Sequence, residues 1–398
     1  TMVALTGGLL GILFMIPMRR VFVAGNDELP FPEGVACAAV LEAGEQGGEN
    51  DAENRQAALS LILGGVLGAV FKIAGGFFAL VTDTLQVARS FGDRIFYFGG
   101  DLSPMLVAVG FIVRLNVAVL IFIGGALAWL IGIPLLGGAS EYDSALDGAW
   151  TLWSTEIRYV GVGAMVVGGM SSLVAVRSGL LSAVGELTRG LRGDHADRES
   201  NAKDIPSAVI VVLGLVCTGL LGYINYKFTQ DAGVSALSTV VMLAMGFFFT
   251  AVASYIVGLV GNSNSPVSGM TITAVLAAGG LLWLFNYTGN QGMVATLGIA
   301  AVVCCVACTS GDVCNDLKTG SLVGASPFRQ QIMQIIGVAV ASLVMAPTLM
   351  LLNDQTPGGI GGPELAAPQA SLITCRATAV LMVAPRLTRS SRSETYPP

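Results

Sequence analysis

The chain has 398 residues, 54% of them hydrophobic and only 12% charged, and its mean hydropathy is +0.74. Soluble domains carry about 25% charged residues, so this composition excludes an ordinary soluble domain. A formal net charge of −6 excludes the basic character of a nucleic-acid binder.

Apolar runs of roughly 18–25 residues recur along the chain, each long enough for a spanning helix. Strict apolar/polar alternation is absent, which argues against a β-barrel. The expected fold is all-α: a polytopic membrane protein with about 9–11 spanning helices plus short or re-entrant broken helices. Thr1 opens directly on the apolar run "TMVALTGGLLGILFMIP", so missing upstream sequence is expected. Spanning or buried helices are predicted near 2–17, 57–80, 104–136, 157–178, 206–226, 236–260, 268–286, 293–310 and 330–352. The run 104–136 is too long for one untilted crossing. "VRLN", from Val113 to Asn116, is predicted to divide it into a short and a full helix.

"LPFPEGVACAAVLEAGE" runs from Leu29 to Glu45. Its Pro32–Gly44 portion is too short to span and reads as a half-helix or re-entrant segment. Pro30 and Pro32 are expected to hold the approach extended. Glu33 lies in the first helical turn, where the helix dipole favours an anion, and Glu42 and Glu45 follow. Either these carboxylates sit on a surface amphipathic helix, or they are titratable groups on a re-entrant element.

"GNSNSPVSGM", from Gly261 to Met270, is an uncharged polar loop between two apolar runs. Ser265 suits an N-cap and Pro266 a first helical turn, so a helix is predicted to start near Pro266. Asn262, Ser263 and Asn264 are costly against lipid. They mark either an interfacial loop or a polar cavity beside a helix start, where free N–H groups suit a substrate carboxylate.

Lys72 and Arg114 interrupt apolar runs. Charges inside a bilayer are costly, so both read as buried charges facing protein or water, with snorkelling to the interface as the alternative. Glycines at small-xxx-small spacing, Gly7/Gly11, Gly64/Gly68 and Gly124/Ala128/Gly132, suit close helix packing. The cysteines of "CCVACTSGDVC" read as small apolar helix fillers, and the one histidine, His195, lies in a charged loop. No resident metal or other cofactor is expected. Lysines and arginines place loops 186–204 and 312–329 on the cytoplasmic side, and the acidic loop 137–156 opposite.

Three stretches, "LPFPEGVACAAVLEAGE", "GNSNSPVSGMTI" and "DVCNDLKTGSLVGASPFRQQIMQIIG", together with "PELAAPQASL", resemble the oligopeptide transporter family, on its prokaryotic, yellow-stripe-like side. The resemblance covers residues 1–372 and implies a partial transporter-type membrane domain. Residues 373–398 are expected to be a non-family, disordered tail. The family has more spanning helices than this sequence shows, so an N-terminally truncated chain with an aberrant C-terminus is expected.

The resemblance implies a secondary active transporter, proton-coupled, for small peptides or metal–ligand chelates, in a prokaryotic inner membrane. It moves the "NSNSPVSG" loop, with Asn262, Ser263, Asn264, Pro266 and Gly269, towards the substrate path, and substrate is expected where this helix start meets other broken or short helices, with "PFPEGVA" a candidate. With proton coupling implied, Glu33 or Glu42 is expected to carry the coupled proton, since burial of a carboxylate favours its protonated form. Expected partners are the peptide or chelate substrate, protons and membrane lipid, with a homodimer open and no nucleic acid. An intramembrane enzyme is the first alternative. With a single histidine only Ser–Lys or Asp–Asp chemistry is left to it, and Lys72 has no evident serine partner in the sequence. A channel or a non-transporting scaffold is the second.

Overall fold

The computed structural model describes residues 1–23, 29–45, 52–76, 78, 84–161, 163–164, 167–168, 171, 204–263, 265, 267–285, 287 and 289–362. The helices in chain order are α1 Met2–Phe22, α2 Pro32–Glu45, α3 Ala52–Gly76, α4 Pro104–Ile112, α5 Leu115–Ala126, α6 Ile133–Leu136, α7 Ala145–Leu152, α8 Ser207–Thr229, α9 Ala232–Val260, α10 Val267–Leu284, α11 Gly289–Leu322 and α12 Pro327–Gln355. Strands β1 (Thr84–Phe91) and β2 (Arg94–Asp101) lie between α3 and α4. Among the described residues, six helical stretches are long and apolar enough to cross a membrane: Met2–Phe22, Leu115–Leu136, Ser207–Lys227, Ala232–Val260, Gln291–Leu322 and Pro327–Gln355. Leu59–Gly75 and Gly269–Leu284 are shorter apolar helices. The protein is a helical membrane protein, as its composition requires.

The chain forms two compact units. One comprises residues 1–29, 165–257 and 264–398, the other 30–164 and 258–263.

In the first unit α1 packs on α8, α11 and α12. Its glycines set the approach to α11. A Cβ on Gly7 would stand 2.7 Å from Cys305 Cβ, and one on Gly11 would stand 2.8 Å from the Val306 carbonyl oxygen. With no Cβ the two backbones meet closely, the packing that small residues give in lipid. Cys305 is therefore a packing residue. Between α8 and α9, the Asn225 amide donates to Thr239 Oγ1 at 3.2 Å and the Ser235 hydroxyl to the Gly222 carbonyl at 2.8 Å. Such bonds satisfy polar groups that lipid could not.

At another point of this unit, Arg19 in the last turn of α1 grips Asp204, just before α8. Gln331 near the start of α12 donates to the same carboxylate at 2.7 Å and accepts from the Ile205 N–H at 2.9 Å. One ion pair and one amide thus tie α1, α12 and the entry to α8.

Helix α11 has 34 residues, about 51 Å at 1.5 Å per residue, well beyond a hydrocarbon core of about 30 Å. The segment 312–322, expected to be loop, is the continuation of this helix. Its charges, Asp312, Asp316 and Lys318, lie where the helix has exceeded the length a bilayer core requires. Only Val323–Ser326 separates it from α12.

In the second unit α2, α3 and α4 touch one another, while the hairpin packs against α6, α7 and the segment before α6. The strands pair antiparallel from Thr84↔Asp101 to Phe91↔Arg94. Gly92 takes φ +62° at the turn, a conformation open to glycine. Ile95 and Tyr97 on β2 insert into a core with Ile133, Ala149 and Leu152. Trp129 and Trp153 stack beside Tyr97, with centroids 5.8 Å apart and planes inclined at 14°. Both belong to π-helical turns, Leu127–Gly132 and Trp153–Ile157.

The break predicted within Val113–Asn116 falls at Val113–Arg114, between α4 and α5. Gly64, Gly68 and Gly124, read as packing glycines, have no described atom within 4 Å of a built Cβ.

Candidate functional site

The site is built in the second unit from the start of α2 and the end of α9. Helix α9 stops at Val260, and Gly261 follows at φ +85°. A left-handed residue after the last turn is the usual glycine stop of a helix. Asn262 and Ser263 continue non-helical. Beyond this unit, α10 is described from Val267, and Ser265 is non-helical too. Asn264 and Pro266 lie outside the described residues.

Two sets of bonds join the segments. The Phe31 N–H donates to the Gly258 carbonyl at 2.9 Å. That oxygen is among the last four of α9, which have no partner within the helix. The Glu33 carboxylate then accepts the Asn262 N–H at 2.8 Å, the Ser263 N–H at 3.0 Å and the Ser263 hydroxyl. An ionised carboxylate is an acceptor only, so three converging donors match it. The first turn of α2 places Glu33 here: Pro32 opens the helix, and the Phe31 carbonyl accepts the Val35 N–H at 3.0 Å.

Phe31 corrects an expectation. The Pro30–Phe31–Pro32 approach was read as extended, yet Phe31 has φ +45° and is fully buried. A bulky residue in the left-handed region is strained and needs surrounding structure to hold it. The bond to Gly258 and the buried ring supply that support.

Gly261 is required twice. Its φ favours glycine, and a Cβ there would lie 2.8 Å from Glu33 Oε1 and 2.9 Å from Glu33 Cδ. The Glu33 side chain lies in the space a larger residue would take.

The structure thus brings together Glu33, Asn262 and Ser263, joining the two breaks that were expected to meet. Glu33 and Asn262 are half-buried and Ser263 is exposed. Glu42 is exposed, nine positions further along α2. Gly269 is buried in the first turn of α10, where its carbonyl accepts the Thr273 hydroxyl at 2.8 Å. Lys72 and Arg114, read as buried charges, both lie on exposed surface. Arg114 caps α5 through its backbone carbonyl, which accepts the Val117 and Ala118 N–H groups, and this end position lets its side chain leave the helix. Lys72 is near the end of α3, where a long stem can carry its ammonium outward.

Sequence reasoning missed Phe31, Gly258 and Gly261 as parts of this clasp, and the Arg19–Asp204–Gln331 node altogether. Gly261 carried a signal, a glycine directly after an apolar helical run. The node carried none, because its members are far apart in sequence.

Elsewhere, in the first unit, a groove of about 490 Å³ is lined by residues including Leu13, Phe14, Ile210, Leu215, Phe247 and Phe248. Its lining is almost wholly apolar, which suits hydrocarbon and gives little to orient a polar solute.

The sequence model of the OPT oligopeptide transporter protein family matches residues 1–391. This chain belongs to the oligopeptide transporter family. It is similar to a Haemophilus influenzae protein whose name assigns it to oligopeptide transport, with 30% identity over 94% of this chain and 63% of that protein. It is also similar to the probable metal-nicotianamine transporter YSL14 of Oryza sativa subsp. japonica, at 24% identity over 94% of this chain and 54% of that protein. Metal-nicotianamine transporter YSL3 of Arabidopsis thaliana is likewise 24% identical, over 90% of this chain and 55% of its own length. The chain therefore spans between about half and two thirds of these relatives. No solved structure matches it.

Proposed function

We propose that this protein takes part in secondary active transport, carrying small peptides or metal–ligand chelates across a prokaryotic inner membrane in exchange for the free energy of a proton gradient. It acts by conformational change and not by covalent chemistry. The names of its relatives support both substrate classes. The observation that carries the reading is the Glu33 carboxylate held by an uncharged broken-helix loop. Non-helical backbone at membrane depth is tolerated where it lines protein or a wet cavity, and transporters place substrate at such breaks. A titratable group bonded to that loop links proton uptake to the loop's shape. Glu42, on the same helix, is the second candidate for proton transfer. Asn262, Ser263, Asn264, Pro266 and Gly269 are the proposed substrate-side residues.

The test is uptake by the whole protein in proteoliposomes with an inward proton gradient, offering a di- to tetrapeptide set and iron–nicotianamine. Saturable, gradient-driven uptake of one class is expected, and Glu33→Gln should reduce the dependence on the gradient. Flux that neither saturates nor responds to the gradient indicates a channel instead.

A further inference from the structure

We infer that the backbone N–H groups of Asn262 and Ser263, with the Ser263 hydroxyl, form a carboxylate-binding site that Glu33 fills as an internal stand-in, and that a carboxylate of the transported solute takes its place. This inference rests on the transport reading above and names the chemical group that the loop recognises.

Successive backbone N–H groups beside a left-handed residue make a concave anion site, and such sites capture peptide carboxylates. Here Gly261 is the left-handed residue, and the two N–H groups that follow both point at one carboxylate. This is not a helix start, since α10 begins at Val267. The site's preference for a carboxylate is visible because one occupies it, with both of its oxygens bonded. Ser263 is exposed and Asn262 half-buried, so a solute can approach.

The exchange is plausible in energy because donors lost to Glu33 are regained by the incoming group. Swapping one carboxylate for another keeps charge-assisted bonds to both N–H groups, which water alone would replace with weaker ones. Glu33 is tethered at the first turn of a short helix, and the strained Phe31 lies two residues before it. The bound internal anion lowers apparent affinity, because only the fraction of molecules with Glu33 displaced can accept solute. Small peptides and aminocarboxylate chelates share the carboxylate, so one site serves either class.

The experiment is substrate exchange across proteoliposomes at equilibrium, which needs no gradient and so reads binding apart from coupling. The probes are trialanine and trialanine amide in one arm, and, in the other, iron–nicotianamine with acetate and acetamide as competing free acid and neutral form, which leave the iron ligands intact. For the class transported, the free acid should exceed the neutral form in affinity by roughly tenfold or more, the scale of charge-assisted bonds. Glu33→Ala should raise the affinity ratio of free acid to neutral form several-fold. Ser263→Ala, which removes one donor and no competitor, should weaken the free acid. Equal affinity of acid and neutral form in the parent overturns the inference while the transport reading stands. Weaker binding of the free acid to both Glu33→Ala and Glu33→Gln also overturns it, by making Glu33 a supporting residue. No exchange of any probe by the parent removes the transport reading and this inference with it.

Discussion

Arg19 holds Asp204 through two bonds, Nε to Oδ1 at 2.7 Å and Nη2 to Oδ2 at 2.9 Å, across 185 positions of sequence. The side chains are only 7% and 13% exposed. A pair this buried is costly to break from one side, because the remaining charge is left uncompensated, at about 3–5 kcal/mol. Arg19→Ala and Asp204→Ala should each lower the thermal midpoint of the purified protein by a similar large amount. The double variant should lose less than the sum of the two. Thermal unfolding in detergent checks this, and additive losses would show that the residues act separately.

The glycine pairs give a contrast that the sequence hides. Gly7→Ala and Gly11→Ala force a Cβ to within 2.7 Å of Cys305 and 2.8 Å of the Val306 carbonyl, so α1 and α11 must separate. A cost of roughly 1–3 kcal/mol each is expected from overpacking. Gly64→Ala and Gly68→Ala meet nothing described within 4 Å, and should be neutral or slightly stabilising through helix propensity. Melting curves of the four variants decide the matter, and equal losses in both pairs would refute the contrast.

The spanning helices were legible because a run of apolar residues is all that lipid requires of a helix. The hairpin was not legible. Strand β1 is exposed except for a half-buried Ala88, and in β2 the alternately buried Ile95 and Tyr97 are flanked by apolar but exposed Phe96 and Phe98, so "RIFYFGGD" lacks the apolar/polar alternation that marks a half-buried strand in sequence. The end of α11 was misread because Asp312, Asp316 and Lys318 look like loop composition, although a helix that outruns the bilayer carries such residues without penalty. In the candidate site each half was visible: a Pro-Glu helix start and a polar break closed by Ser-Pro. That the two breaks meet follows from each needing partners for its free backbone groups; which atoms join them was not legible, since Glu33 and Asn262 are 229 positions apart and only the fold sets the contact.

Three of the chain's four tryptophans, Trp129, Trp150 and Trp153, cluster around Tyr97 and the hairpin, and the Trp150 indole donates to Gln86 on β1 at 3.0 Å. Intrinsic fluorescence therefore reports on this core. Ile95 is fully buried in it. Ile95→Ala should shift emission to longer wavelength and cost about 2–5 kcal/mol of local stability, the range for such truncations. Ile62→Ala, on the exposed face of α3, should leave emission unchanged. An unshifted spectrum for Ile95→Ala would mean that the hairpin does not seal the tryptophan cluster.

Gly261 offers the sharpest test of the clasp itself. Alanine there pays about 1–2 kcal/mol for the left-handed backbone and also drives its Cβ against the Glu33 carboxylate. The two effects separate by combining variants. In Gly261→Ala alone both penalties act, so Glu33 should leave the Asn262 and Ser263 N–H groups. In Gly261→Ala with Glu33→Ala the collision is gone and only the backbone penalty remains. The double variant should therefore lose less stability than the sum of its single variants. Amide hydrogen exchange gives the second reading: protection at Asn262 and Ser263 should fall in Gly261→Ala and in Glu33→Ala to the same extent, since each removes the same acceptor. Protection that persists in Glu33→Ala would mean that another group satisfies these donors, and the clasp would then be no more than a contact.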